Sequence, residues 1–359
     1  MSDIQDMITE SVNRMFSEMV DTKVFDAAEA GVWPEQLWKA VEESGFTKVL
    51  VADPDDDTSG KWTNAQPIFH ALGVHRVPLP LSETIIANTL LSQAGLPAPD
   101  GPLTIVQQQS GDALQLTIEN DRLIVNGVVD AVPWARFARA IVVAGTVGNR
   151  QVLGLIQRDA GAYSTTDAAN IAGEPRDQVR FDHSPCAAYG VWDSALPAAP
   201  VTLYGALARA AMMAGAAQSA LHQSVQYAND RVQFGRPIGK FQAIQQSLAI
   251  LAGEVSSAQS ATVFACEAAD AAPRFFDVAV AKIRAGQAGS LAANIAHQVH
   301  GAIGFTHEHT LHYATRRLWS WRAEFGAESV WAEQLGRQAI ASGGKLFWSG
   351  LTTHQSVRR

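Results

Sequence analysis

The chain reads as a mainly α fold with a small antiparallel β-domain at its centre. Three features predict this. Apolar positions recur at helical spacing through roughly the first hundred residues, strand-like runs separated by Gly, Asn and Asp follow from Leu103, and helical period returns after Pro197. The expected division is a helical N-terminal domain over 1–98, a middle β-domain over 99–195 and a C-terminal four-helix bundle over 196–359.

In the first part, residues 4–20, 34–43 and 79–94 carry helix-like patterns, and the acidic run 53–60 is a turn-forming loop. In the middle, 114–118, 122–125, 140–144 and 151–156 are rich in residues that pack well on a pleated surface. In the last part, helices are expected near 202–230, 238–270, 276–301 and 323–346. Pro237 and Pro273 fall between them, where a missing N–H costs least.

Composition narrows the function classes. With 47% hydrophobic residues, the 359-residue chain has ample material for a buried core. Its 27 basic against 35 acidic residues leave a formal net charge of -8, which gives nucleic acid no electrostatic attraction. The first residues pattern as an amphipathic helix and not as an export signal, and no apolar run approaches the roughly 18 residues of a membrane span. A cytoplasmic protein is expected. Cys186 and Cys266 fall in different regions and read as small buried side chains, not as a disulfide or metal pair. Gly-x-Ser-x-Gly, a phosphate-binding Gly-rich loop and Gly-x-Gly-x-x-Gly are all absent.

Two segments carry candidate chemistry. The first runs Arg231-Val-Gln233-Phe234-Gly235-Arg-Pro-Ile238-Gly-Lys-Phe241-Gln242, between two expected helices. A guanidinium fork matches a phosphate, and Gly235 permits a sharp turn or a close backbone approach. By chemistry alone the segment could equally be a helix–helix turn with a surface Arg. The second is Gln298-Val-His300-Gly301-Ala302-Ile-Gly304-Phe305, about 65 residues further on.

Together these segments resemble the two signatures of the acyl-CoA dehydrogenase family, and Glu43-Ser-Gly45-Phe46 and Gly73 to Pro80 resemble its helical first domain. The resemblance covers nearly the whole chain and is most specific over 204–306. It implies a flavoprotein fold with an N-terminal helical domain, a middle β-domain and a C-terminal four-helix bundle. It also implies an FAD site shared between subunits and an acyl-CoA substrate, with an electron-transferring flavoprotein as acceptor. Arg231 and Gln233 would hold the pyrophosphate. Phe234, Ile238 and Gln242 would pack beside the cofactor, and Gln298, Gly301 and Ala302 would take the adenine end, Ala302 replacing a family glycine.

The family takes a glutamate base from one of two places, and neither holds a carboxylate here. Counting from Gly304 puts Phe325, or Gly326 with a slip of one, at the first; counting back from Gly235 puts Gly205 at the second. Glu324 is the nearest substitute, although an acid beside a helix terminus also has a simple electrostatic explanation. Around Asn126 to Trp134 only an Asn-Gly turn of the family's flavin-gripping strand pattern is recognisable. Loss of the base and of this pattern, with Arg231, Gln233 and Gly301 kept, resembles the degenerate subunits of heterotetrameric bacterial acyl-CoA dehydrogenases. In those a partner supplies the base. A non-catalytic structural subunit that binds neither flavin nor substrate is the alternative.

Three other groupings stand out. His297, His300, His307, His309 and His312 could in principle ligate zinc, but no Cys accompanies them, and no metal site is expected. Arg316, Arg317 and Arg322 read as a helix face paired with nearby Glu, or as contacts for CoA phosphates or a partner. Trp319, Trp321, Phe325 and Trp331 read as core or interface packing, or as acyl-pocket lining, and Arg209 either compensates a buried acid or snorkels outward.

Overall fold

The computed structural model describes residues 3–353 except 110, 112, 159–160, 193–196 and 198. Within the last helix it describes no side chains at 345–347 and 349–353. The expected division between 195 and 196 lies outside the described residues.

Helices come first: α1 (Asp3–Met19), α2 (Thr22–Glu29), α3 (Glu35–Glu43), α4 (Trp62–Val74) and α5 (Leu81–Gln93). The expected helices at 4–20, 34–43 and 79–94 are α1, α3 and α5. The unexpected α2 is opened by Asp21, whose carboxylate accepts from the Val24 N–H at 3.0 Å. In the 53–60 loop, the Asp56 carboxylate accepts from the Thr58 N–H at 2.9 Å, and the Ser59 hydroxyl accepts from the Asp53 N–H at 2.7 Å. Every residue of α5 from Leu81 to Leu91 is buried, so its polar side chains need partners: Thr84 donates to the Leu103 carbonyl, and Asn88 to that of Thr47.

The middle of the chain forms two four-stranded sheets. One has the order β1 (Leu103–Gln107), β4 (Ala140–Val147), β5 (Arg150–Gln157), β8 (Ala188–Trp192). The other has β2 (Gln115–Glu119), β3 (Arg122–Pro133), β7 (Arg176–Pro185), β6 (Tyr163–Thr166). The pairings are antiparallel, as expected, with one parallel pair, β1 with β4. Between β1 and β4 the chain leaves to build β2 and β3 in the other sheet, which supplies the long crossover that a parallel pair requires. A correction concerns Asn126 and Gly127. They lie inside β3 at a register shift against β7, not in a hairpin turn. Val106, Val125, Val143, Val152 and Phe181 fill the space between the sheets, while Ile105, Val142, Leu153 and Leu155 face the helical core. Both faces of β4 are therefore covered, which explains its unbroken apolar run.

The C-terminal part holds α6 (Pro200–Asp230), α7 (Gln242–Ala269), α8 (Phe275–His300) and α10 (Glu328–Thr353), the four expected helices, and additionally α9 (Leu311–Ala323). The chain bends inside α10 at Gly343. Where α4 crosses α6, a methyl group on Gly73 would collide with the Met212 carbonyl, and one on Gly215 with that of His70. The two glycines let the helix backbones touch and so fix the N-terminal helices against the bundle. Helix α7 is the one described helix long and apolar enough to cross a membrane by length and composition, contrary to the reading of the sequence. It passes because both of its faces carry apolar residues: Leu251 and Val255 point into the bundle, while Ile250 is 56% and Val263 41% exposed.

Candidate functional site

A cavity of about 1340 Å³ opens between the helical parts and the β-sheets. Thr89 and Gln93 of α5, Ala131 and Val132 of β3, Tyr204 of α6 and Phe325 after α9 are among its lining residues. Tyr204 is buried, which raises its phenol pKa, and its ring stands edge-on to Trp62.

The two places where the sequence comparison looked for a base meet at this cavity. Phe325 lies against Gly205, so closely that a Cβ on Gly205 would stand 2.5 Å from the ring. Phe325 itself has φ +54°, a left-handed backbone that an aromatic residue rarely adopts. An aromatic ring and bare backbone therefore occupy both positions, and neither can accept a proton from a substrate carbon.

Glu324, the remaining candidate, caps the C-terminus of α9 and lines the same cavity. Its Oε2 accepts from Arg209 Nε at 2.6 Å, and its Oε1 from Arg176 Nε at 2.8 Å. Burial by itself would push the carboxyl up, but the guanidiniums of Arg176 and Arg209 outweigh it and bring the pKa to about 2. A carboxylate so held is a poor proton acceptor at neutral pH. Arg209, 2% exposed, reaches from Glu324 to Glu83 and the Ser82 hydroxyl, so it compensates buried acids and does not snorkel. Arg176 continues the chain of charges to Glu174, which also receives Arg317 at 3.2 Å and the Trp321 indole N–H at 2.9 Å.

The sequence reading missed Glu83, Glu174 and Arg176. A signal existed for Glu83, the one charged residue of α5. Arg316 and Arg322 do pair with Glu29 and Glu328 as a helix face would, whereas Arg317 is buried. Trp321 belongs to the core, Trp331 stacks on Phe275 at 5.3 Å, and Trp319 is 41% exposed.

The Arg231 segment lies elsewhere. Arg231 caps α6, the chain turns through the two-residue strands β9 (Val232–Gln233) and β10 (Arg236–Pro237), and the Ile238 N–H returns to the Arg231 carbonyl at 2.8 Å. Gly235 has φ +77° and Phe234 +52°, so the tip needs left-handed backbone at two consecutive residues. Arg231, Gln233 and Gln242 are exposed, Ile238 is half-buried and the Phe234 ring is 91% exposed. Among the described residues no carboxylate pairs with Arg231. The guanidinium and the ring are thus both open to solvent, with Phe234 edge-on to Phe241 at 6.1 Å.

Gln298, Gly301 and Ala302 stand exposed at the end of α8, where Gly301 (φ +63°) starts a short 3-10 turn, Gly301–Phe305. Gln298 and Gly301 border an open cavity of about 860 Å³ that His297, His312, Phe305 and Trp319 also line. The Tyr227 ring, four residues before Arg231, stacks on His300 at 4.6 Å, which ties the ends of α6 and α8 together. The two segments thus flank one end of the helix pair without a direct bond to each other. The histidines are committed separately: His297 Nε2 lies 2.9 Å from the Thr315 hydroxyl and His300 Nδ1 2.7 Å from the Ala296 carbonyl. Among the described residues no three His, Cys, Asp or Glu side chains converge as a metal site would.

Comparison with known proteins agrees with this architecture. Residues 202–340 match the family model described as acyl-CoA dehydrogenase, C-terminal domain. The chain is 30% identical over 286 residues to acyl-CoA dehydrogenase IpdE2 of Mycobacterium tuberculosis, covering 79% of this chain and 80% of the relative. Among solved structures, the ChsE4-ChsE5 complex from Mycobacterium tuberculosis superposes with a TM-score of 0.81 at 18% identity, over 96% of this chain and 98% of the other. A steroid acyl-CoA dehydrogenase variant superposes with a TM-score of 0.84 at 22% identity, over 95% and 98%. With the helix–sheet–helix order, both sequence signatures and these likenesses in hand, the chain belongs to the acyl-CoA dehydrogenase family.

Proposed function

We propose that this chain is one subunit of a cytoplasmic, FAD-dependent acyl-CoA dehydrogenase that introduces an α,β double bond into an acyl-CoA thioester, and that its partner, a second subunit of the same family, supplies the base. The observation that carries this reading is the pairing of an unusable base position with an intact cofactor grip. Phe325 covers Gly205 and Glu324 is held by two arginines, while Arg231 and Phe234 stand open to a neighbour.

When bound, FAD supplies the two-electron oxidation of the Cα–Cβ bond, and an electron-transferring flavoprotein takes the electrons onward. The residues present fit it. Arg231, with Gln233 beside it, offers an unpaired fork of donors for a pyrophosphate, and Phe234, Ile238 and Gln242 form a largely exposed face for the rest of the cofactor. Gln298 and Gly301 border an open recess for the adenine end, and Ala302 stands exposed next to Gly301. None of these groups lines the large cavity, and their exposure suits a cofactor shared with a neighbouring subunit. The exposed Ile250 and Val263 of α7 support an apolar subunit contact. A cavity of about 1340 Å³ has room for a bulky, ring-bearing acyl group, and one structural relative is a steroid acyl-CoA dehydrogenase variant.

The second reading is a non-catalytic structural subunit that binds neither flavin nor substrate, favoured by the filled base positions. Purification of the chain alone and together with the product of a neighbouring family gene separates the two. FAD content and acyl-CoA oxidation are expected only from the pair. Stoichiometric FAD and normal oxidation from the chain alone would overturn the partner model. A pair that oxidises acyl-CoA with all its FAD retained after Arg231→Ala would favour the structural subunit. A stand-alone enzyme using Glu324 as base would be disabled by Glu324→Gln.

A further inference from the structure

The loop after α9 is held in an unfavourable conformation by contacts on both sides of Phe325. Phe325 carries a left-handed backbone, and such conformations persist where the surroundings over-determine them, commonly at ligand sites. On its N-terminal side Glu324 is gripped by Arg176 and Arg209 from the β-sheets and α6. On its C-terminal side the Trp331 indole donates to the Phe325 carbonyl at 3.0 Å, and Gly326 lies directly on that indole. Behind the loop the Lys282 ammonium, fully buried, donates to the carbonyls of Trp321 and Arg322 at the end of α9. The Arg209 guanidinium stands 5.6 Å from the ring centroid, and Gly205, four residues earlier on the same helix, lies against the ring. The ring is thereby held against α6, and Phe325 lines the large cavity.

A core residue placed for packing alone needs none of this. The geometry points to Phe325 as the specificity-determining wall of the cavity: it sets how far an apolar acyl group can extend toward α6. Arg209, Arg176 and Glu324 act as positioning residues that keep the ring in place. Gly205 belongs to the same device, because any larger residue there would push the ring into the cavity. This inference rests on the reading of the cavity as an acyl-CoA site.

The test is equilibrium binding of butanoyl-CoA and dodecanoyl-CoA to the full chain in the complex with which it purifies. Phe325→Ala is expected to raise the preference for dodecanoyl-CoA over butanoyl-CoA about tenfold, the change that burial of about two further methylene groups gives. Phe325→Leu should move the ratio in the same direction by a smaller factor. Glu324→Gln, which frees the loop without altering the ring, should narrow the discrimination between the two thioesters. Simple damage to the fold would weaken both ligands alike and leave their ratio unchanged. An unchanged ratio in both Phe325 variants, with binding retained, overturns the wall and leaves the proposed function intact. Failure of the wild-type complex to bind either thioester overturns the proposed function and the wall with it.

Discussion

The loop at Glu324 and the turn at Arg231 are both short segments beside α6, and they are finished in opposite ways. At Glu324 every charge has a partner inside the chain: three carboxylates (Glu83, Glu174 and Glu324) face three guanidiniums (Arg176, Arg209 and Arg317). At Arg231 the cation, the Phe234 ring and the apolar outer face of α7 are left exposed. Burying a charge without a partner costs several kcal/mol, so the first arrangement must be complete within the chain to fold. Groups exposed on the surface carry no such demand and can wait for a second chain. The contrast separates what makes this chain stable from what it leaves open on its surface.

The largest expected effect is at the closed end of that comparison. Glu324→Ala takes one of two carboxylate partners from each of Arg176 and Arg209, which keep Glu174 and Glu83, and should cost about 3 kcal/mol of stability, read from denaturant unfolding of the purified chain. A loss below about 1 kcal/mol would mean that water reaches the network and that the two regions differ less than described.

The same carboxylate gives a pH signature. Its folded pKa of about 2 lies below the ordinary value of 4.5, so the unfolded chain binds the extra proton between those values. Its contribution is fully present above pH 4.5 and is lost as pH falls toward 2. The stability of the wild type should therefore fall more steeply than that of Glu324→Gln across this window, and parallel curves would remove Glu324 from the network.

At the open end, Ile250→Asp should leave the melting temperature of the isolated chain nearly unchanged, because the side chain is already 56% exposed. It should nevertheless weaken assembly by about 2 kcal/mol or more if α7 is a subunit contact, visible as a lower mass in sedimentation. An unaltered mass would move the interface elsewhere. The smallest effect belongs to the exposed pair Glu333–Arg337. Arg337→Ala should change stability by no more than about 0.5 kcal/mol, a control for what a solvated ion pair contributes.

Legibility in the sequence followed the range over which each feature is encoded. The helices α1, α3 and α5 and the long bundle helices announced themselves by local period. Helix α4 did not, because Pro67 interrupts it and Gly73 reads as a breaker until its contact with α6 is seen. Strand β3 appeared only as its first four residues, since its later part is bent by two register shifts. The Arg231 segment was readable because its residues are contiguous. Glu324 and Arg209 were noticed singly, but their union with Glu83 joins positions 83, 209 and 324, and nothing local in a sequence pairs them.

The central claim is that Arg231 grips a cofactor shared with a neighbouring subunit, and FAD content of the assembled complex after Arg231→Ala tests it most directly. Removing an oriented guanidinium from a pyrophosphate should weaken FAD binding by about tenfold to a hundredfold while the mass of the assembly and its melting temperature without added FAD stay unchanged. Full FAD occupancy in the variant, at the same dilution that strips it from no wild-type complex, would contradict the account.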